Sequence, residues 1–193
     1  MDKSISTKKI RKAFNVKSIS KMGLFLSLLI CSGFLTINFG FVNFTLQIAV
    51  VFLICLFLSL KEGLVVILSY IILGLIGLPI FASFQGGFSY VLAPTFGFVY
   101  GFIFGLFSFH GLSTILSKKL KNDILVKIVS LSLALLVVYL NGFIHGLLIF
   151  KYYLNIDKDF LGLLLIFILP YIPFDIAKLI SVIIVYKVYK MKS

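Results

Sequence analysis

The chain has 193 residues, 61% of them hydrophobic and only 12% charged, with a mean hydropathy of +1.18. Such a composition excludes an ordinary soluble domain and points to an integral membrane protein. The formal net charge of +12 does not mark a nucleic-acid binder: the basic residues gather at the ends of apolar runs, where they set topology and meet anionic lipid headgroups, and no loop joins a basic stripe to stacking aromatics.

In chain order, residues 1–21 are polar and basic, with Lys3, Lys8, Lys9, Arg11, Lys12, Lys17 and Lys21 against Asp2 alone. They read as a cytoplasmic or interfacial segment ahead of a membrane domain over residues 22–193. The first apolar run, about Met22–Ile37, has no small-residue cleavage site after it and reads as an uncleaved span. Residues 38–45 form a short uncharged connection. Span two is about Leu46–Leu60, broken at Lys61-Glu62-Gly63, and span three is about Leu64–Leu78, stopped by Pro79. An uncharged loop rich in Gly and aromatics follows to Ala93. Span four, about Pro94–Leu116, opens on proline as helices favour. A basic loop leads to span five, about Ile124–Phe150. After a polar loop at 151–159, span six runs about Phe160–Tyr186 and is kinked near Pro170 and Pro173. The fold class expected is an all-α membrane protein, a bundle of about six spans with both termini cytoplasmic. The charge count agrees with this topology: fifteen basic residues fall on the inner side and two, Lys151 and Lys158, on the outer side, a strong positive-inside bias.

Chemistry concentrates at Asp175, the only acidic residue inside an apolar run. A carboxylate at membrane depth costs about 2.5–3.5 kcal/mol on insertion scales, so it faces protein or water and serves a purpose. Lys178, at i+3, lies on the same helix face and partly neutralises it. The upstream prolines bare backbone carbonyls. This combination suggests a site for a polar solute; a structural pair locking helices is the alternative. With the topology above, the loop holding Phe84, Gln85, Gly86 and Gly87 lies at the same, outer end. Glycine lets backbone N–H groups approach a ligand, and aromatics exclude water. Asn141 and His145, one turn apart on span five, either line a cavity or bond between helices; Asn141 is taken as a candidate ligand contact. Gly97, Gly101 and Gly105 read as a close-packing stripe. Gly23, Ser27 and Cys31 form another on span one, facing either the bundle or a second membrane protein. Cys31 and Cys55 read as packing residues. Two distant histidines and few carboxylates leave no metal spacing. The Walker-type phosphate loop is missing, so any ATP-driven step needs partner proteins. No cofactor is expected.

The chain resembles the BioY biotin transporters, the substrate-binding S-components of energy-coupling-factor importers. The resemblance lies in Phe44-Thr45-Leu46-Gln47; in Gly74-Leu75-Ile76-Gly77-Leu78-Pro79-Ile80-Phe81 leading to Gly86-Gly87; in Pro94-Thr95-Phe96-Gly97-Phe98; and in Pro170-Tyr171-Ile172-Pro173-Phe174-Asp175-Ile176-Ala177-Lys178. It departs from the family at Phe174, where glycine is usual, and at Gly23 and Ser27, which stand where the family has an Ala-x-x-x-Ala motif for contact with the coupling subunit. The resemblance implies a cell-membrane biotin binder that captures biotin outside and works with a membrane coupling protein and two ATP-binding-cassette ATPases, and not an enzyme. It also implies that Asp175 accepts a ureido N–H, that Lys178 donates to a ligand oxygen and that Gly86 and Gly87 lie near the ligand. An S-component for another vitamin and a stand-alone secondary transporter are the competing readings.

Overall fold

The computed structural model describes residues 15–39, 42–156 and 160–192. Of the basic segment 1–21, residues 1–14 lie outside the described residues, as do Asp157, Lys158 and Asp159 of the polar loop. Within them the chain forms seven α-helices and one hairpin: α1 (Val16–Phe34), β1 (Thr36–Phe39), β2 (Val42–Thr45), α2 (Gln47–Phe57), α3 (Leu60–Leu75), α4 (Phe96–Ser117), α5 (Asp123–Leu148), α6 (Phe160–Phe167) and α7 (Ile172–Lys192).

Local sequence explains most boundaries. The Asn15 side chain caps α1 by accepting from the Ser18 N–H at 2.8 Å, and Asn122 caps α5 through the Leu125 N–H at 3.2 Å. Ser59 and Glu62 form a reciprocal capping box that starts α3, satisfying N–H groups that the first turn leaves orphaned. Glu62 also accepts from the Ser18 hydroxyl of α1. That bond, followed by the Ser59 backbone N–H, holds its carboxyl below the usual carboxylate range.

Among the described residues, three helical stretches are long and apolar enough to cross a membrane: Val16–Phe34, Phe96–Ser117 and Asp123–Tyr153, the last being α5 extended by a π-helical turn. Span six is two helices rather than one kinked one. Pro170 cannot continue α6, so the chain turns over 168–171, and Pro173 sits in the first turn of α7, where its missing N–H costs nothing. The uncharged connection after α1 is an antiparallel hairpin rather than a loop, with Thr36 opposite Thr45 and Phe39 opposite Val42.

The core packs α1–α5 and α7 around Leu29, Ile54, Ile67, Leu106 and Leu131, all fully buried. A smaller cluster about Phe143, Phe150, Leu163 and Tyr171 seats α6 on α5. The tightest seam is the antiparallel α4–α5 pair. A Cβ added at Gly97 would stand 2.5 Å from the His145 Cβ and 2.8 Å from the Asn141 carbonyl oxygen, and one at Gly105 would stand 2.8 Å from Val138. The stripe of glycines is therefore what lets these two backbones approach. Gly97→Val is expected to force the seam apart at a cost of about 1–3 kcal/mol, lowering the melting temperature in detergent by several degrees. Gly111→Val on the same helix, where nothing lies within 4 Å of an added Cβ, is the control and should melt near the unaltered protein.

Candidate solute-binding site

The break between α6 and α7 places a helix N-terminus at one end of the bundle. Asp175 lies in its first turn, where the helix dipole favours a carboxylate. Lys178 follows one turn later, and its ammonium donates to Asp175 Oδ1 at 2.6 Å. Both are enclosed, Asp175 at 3% exposure and Lys178 at 9%. The surroundings complete the pair. Tyr139 of α5 donates its hydroxyl proton to Asp175 Oδ2. Lys178 Nζ also donates to the Thr45 carbonyl at 2.7 Å and lies 4.0 Å from the centre of the Phe44 ring, within cation–π range. The hairpin strand β2 thus supplies the lysine with a carbonyl and an aromatic face. Phe174 stands outside this arrangement. Its ring is 47% exposed and meets Phe44 edge-on at 4.7 Å, so it supports the outer side of the ring that Lys178 uses.

The pair opens into a cavity of about 70 Å³ whose walls come from every element at this end of the bundle. Phe44 and Thr45 of β2, Gln47 and Ile48 of α2, and Tyr139 of α5 form one part. Thr95 lies just before α4, and Phe98, Val99 and Phe102 on it; these join Tyr171, Ala82 and Tyr90 in the other. Tyr90 is buried, stacks on Phe81 at 4.6 Å and has its hydroxyl 3.1 Å from Thr95 Oγ1. On its other side is a wider hollow of about 470 Å³, lined by Phe84, Gln85, Gly86, Ser89, Leu92, Ala93 and Tyr153 as well as Tyr90 itself.

The residues singled out from sequence are dispersed over several places. Asp175 and Lys178 come together in the inner cavity. Phe84, Gln85 and Gly86 line the outer hollow, and Phe84 stacks on Phe34 at 4.6 Å. Gly87, at a φ of +96° that favours glycine, lines neither cavity and donates its N–H to the Gly74 carbonyl at 2.7 Å. A Cβ at Gly86 would stand 2.1 Å from the Leu78 carbonyl oxygen, so this pair of glycines lets the loop fold back on the end of α3. Asn141 lies on the α4–α5 seam and donates to the Val137 carbonyl at 2.8 Å, while His145 Nε2 lies 3.2 Å from the Ala93 carbonyl oxygen. Gly23 and Ser27 are on the exposed face of α1, with the Ser27 hydroxyl turned back to the Gly23 carbonyl at 3.0 Å.

Gln47, Tyr90 and Tyr139 were not singled out as site residues. Tyr139 carried a signal, a hydroxyl within an apolar span. Gln47 carried another, as an amide placed where span two enters its hydrophobic run.

Fold and site together define a multi-pass helical membrane protein that keeps an ion pair on the wall of a largely apolar cavity at one end of its bundle. The chain belongs to the BioY family, whose family profile matches residues 5–192. It is 31% identical over 169 residues to the probable biotin transporter BioY of Pyrococcus horikoshii, an alignment covering 88% of this chain and 93% of that protein. It is 39% identical over 92 residues to the biotin transporter BioY of Thermotoga maritima, and that match spans about half of each chain, 48% of this one and 54% of the other. The fold superposes with a TM-score of 0.76, at 24% identity and over 92% of this chain and 93% of the other, on a crystal structure of the S-component for biotin from an ECF-type ABC transporter.

Breaking the pair should expose its energetics. Lys178→Met leaves the Asp175 carboxylate buried without its cation and is expected to cost about 3–5 kcal/mol, whereas the double variant Asp175→Leu/Lys178→Met should recover most of that loss. Melting temperatures of the two purified variants in detergent provide the measurement.

Proposed function

We propose that this protein is the membrane-embedded biotin-binding component of an energy-coupling-factor importer, capturing biotin on the outer side of the cell membrane. Family membership and the shared fold support the reading, and the hydrogen-bonding inventory of the inner cavity carries it. An ammonium has three N–H groups; Lys178 gives one to Thr45 and one to Asp175, and keeps one for a ligand. The Asp175 carboxylate accepts from Lys178 and Tyr139 and still has lone pairs to offer, since two oxygens provide about four acceptor sites. An acceptor beside a donor is the complement of one N–H and the carbonyl of a cyclic urea. Phe98, Val99 and Phe102 supply the apolar wall that a thioether ring needs.

Ligand pockets usually measure about 300–1,000 Å³, so the inner cavity of about 70 Å³ has to widen to take the ring end. The anionic tail then points past Tyr90 into the outer hollow. There Gln85 and the backbone of Gly86 lie close to it, with Phe84 shielding the rim, while Gly87 holds the loop on α3 from outside the hollow. Asn141, held on the α4–α5 seam by its bond to the Val137 carbonyl, lines neither cavity and is left out of the ligand contacts. In this reading the bundle has six spans with both termini in the cytoplasm, in line with fifteen inner and two outer basic residues. Release to the inside requires a membrane coupling protein and two ATP-binding-cassette ATPases. Gly23, where nothing lies within 4 Å of an added Cβ, and Ser27 give α1 a low surface for close approach by that coupling protein.

Calorimetry of the purified protein should show biotin binding, and Asp175→Asn should weaken it by about tenfold or more, because a buried hydrogen-bond partner lost to the ligand costs about 1–3 kcal/mol. Unchanged affinity in this variant would remove Asp175 from the site. Gly23→Leu should leave biotin affinity as it was while reducing co-purification with the coupling subunit; equal recovery of the complex would place the docking surface elsewhere.

A further inference from the structure

Gln47 is 4% exposed and lines the inner cavity, yet its amide is not free to choose which end it shows to a ligand. Behind it, Tyr70 is fully buried on α3, with its hydroxyl 3.1 Å from the Ile80 carbonyl oxygen. A carbonyl can only accept, so the one hydroxyl proton of Tyr70 goes to Ile80. The Tyr70 oxygen is then left as an acceptor toward Gln47, and only the amide NH₂ can meet it. The other end of the amide follows: Gln47 Oε1 accepts from the Thr45 hydroxyl at 3.1 Å, on the side where Thr45 also borders the cavity. A second observation agrees. The Nε2 atom lies against Gly33, 3.4 Å from where a Cβ would stand, and Gly33, Tyr70 and Ile80 are all off the cavity wall. The nitrogen is therefore packed into protein, and the carbonyl is the end of the amide beside Thr45.

We propose that Tyr70 is a specificity-determining positioning residue. Without touching the ligand, it fixes the Gln47 amide so that the cavity presents a carbonyl acceptor, selecting solutes that offer a ring N–H at that point. This rests on the biotin reading above, in which Asp175 takes one of the two ureido N–H groups; the second is the one Gln47 would meet. A flipped amide would present NH₂ instead and would donate to a ring oxygen as readily as the carbonyl accepts from a ring N–H. A buried polar mismatch of this kind is what gives hydrogen-bonding sites their strong discrimination.

The test compares biotin with its two cyclic carbamate analogues, each with one ureido N–H replaced by a ring oxygen of nearly the same size. The unaltered protein should bind both analogues at least about tenfold more weakly than biotin. Tyr70→Phe keeps the ring and its edge-on contact with Phe81 at 5.4 Å but removes the hydroxyl. It should shrink the discrimination against one analogue, the one whose oxygen faces Gln47, to within about threefold while leaving the other as poor as before. A purely structural role for Tyr70 would lower all three affinities by one common factor, and unchanged ratios would overturn the proposal. Gln47→Ala gives an independent reading even where Tyr70→Phe fails to fold: it should erase discrimination against the same analogue, and retention of the full ratio would show that the carbonyl does not face the solute. Failure of the unaltered protein to bind biotin at all would overturn the reading of the solute and this inference with it. Binding with ratios insensitive to both substitutions would overturn this inference alone.

Discussion

The Asp175–Lys178 ion pair is the constraint around which one end of the molecule is organised. Two opposite charges enclosed in an apolar bundle have a large desolvation cost, and attraction alone offsets it poorly unless their remaining hydrogen-bonding capacity is satisfied. Three groups from two elements remote in sequence supply that satisfaction: the Tyr139 hydroxyl from α5, and the Thr45 carbonyl and Phe44 ring from β2. The hairpin between α1 and α2 is thereby tied to α7 across 133 residues of chain. The same demand accounts for the break before α7. An uninterrupted helix would carry Asp175 in mid-span, whereas a new N-terminus beside it lends its dipole to the carboxylate.

The polar groups at this end are held from behind as well as from the side. Tyr139 holds Asp175, Thr45 holds Lys178, and Tyr70 with Ile80 holds Gln47. Each group that faces the cavity thus has at least one bond committed to the protein, which limits the freedom it must lose when a solute enters. Such preorganisation raises affinity by lowering the cost of ordering the site. Tyr90 has a different place. As a wall shared by the small inner cavity and the wider outer hollow, it separates the charged interior from the Gly86–Gly87 loop. The close seam of α4 and α5, made possible by Gly97 and its repeats, holds Phe98 and Tyr139 on facing helices, their rings 6.4 Å apart.

Much of the site was legible in the residues themselves. An acidic side chain in an apolar run stands out because hydrocarbon offers it no partner, and its i+3 lysine is a local relation that helical geometry alone provides. The glycine stripe of α4 was legible for the same reason, since its period is that of the helix. Tyr139, Gln47 and Tyr70 were not legible as parts of one arrangement. Their partners lie on other elements: Asp175 is 36 residues from Tyr139, and Tyr70 is 23 from Gln47. Periodicity within one segment carries no information about pairing at such separations. The hairpin escaped for another reason: Thr36-Ile37-Asn38-Phe39 and Val42-Asn43-Phe44-Thr45 do alternate, but each run is only four residues long and the first overlaps the end of an apolar span, where a short alternation is hard to tell from a connection.

Composition, the placement of lysines at run ends and the isolated aspartate determined by themselves that this is a multi-pass membrane protein with a charged site in its last hydrophobic stretch. They suffice because the bilayer penalises charge wherever it occurs, whatever the partner. Tertiary structure alone decided which groups surround that site. It divided the last stretch into two helices, set Phe174 outside the cavity, put the Gly86–Gly87 loop beyond Tyr90 and turned one amide by means of a buried phenol. Those outcomes depend on packing between distant segments, where a hydrogen bond is made or lost over a few tenths of an ångström, a scale on which the order of residues along the chain is silent.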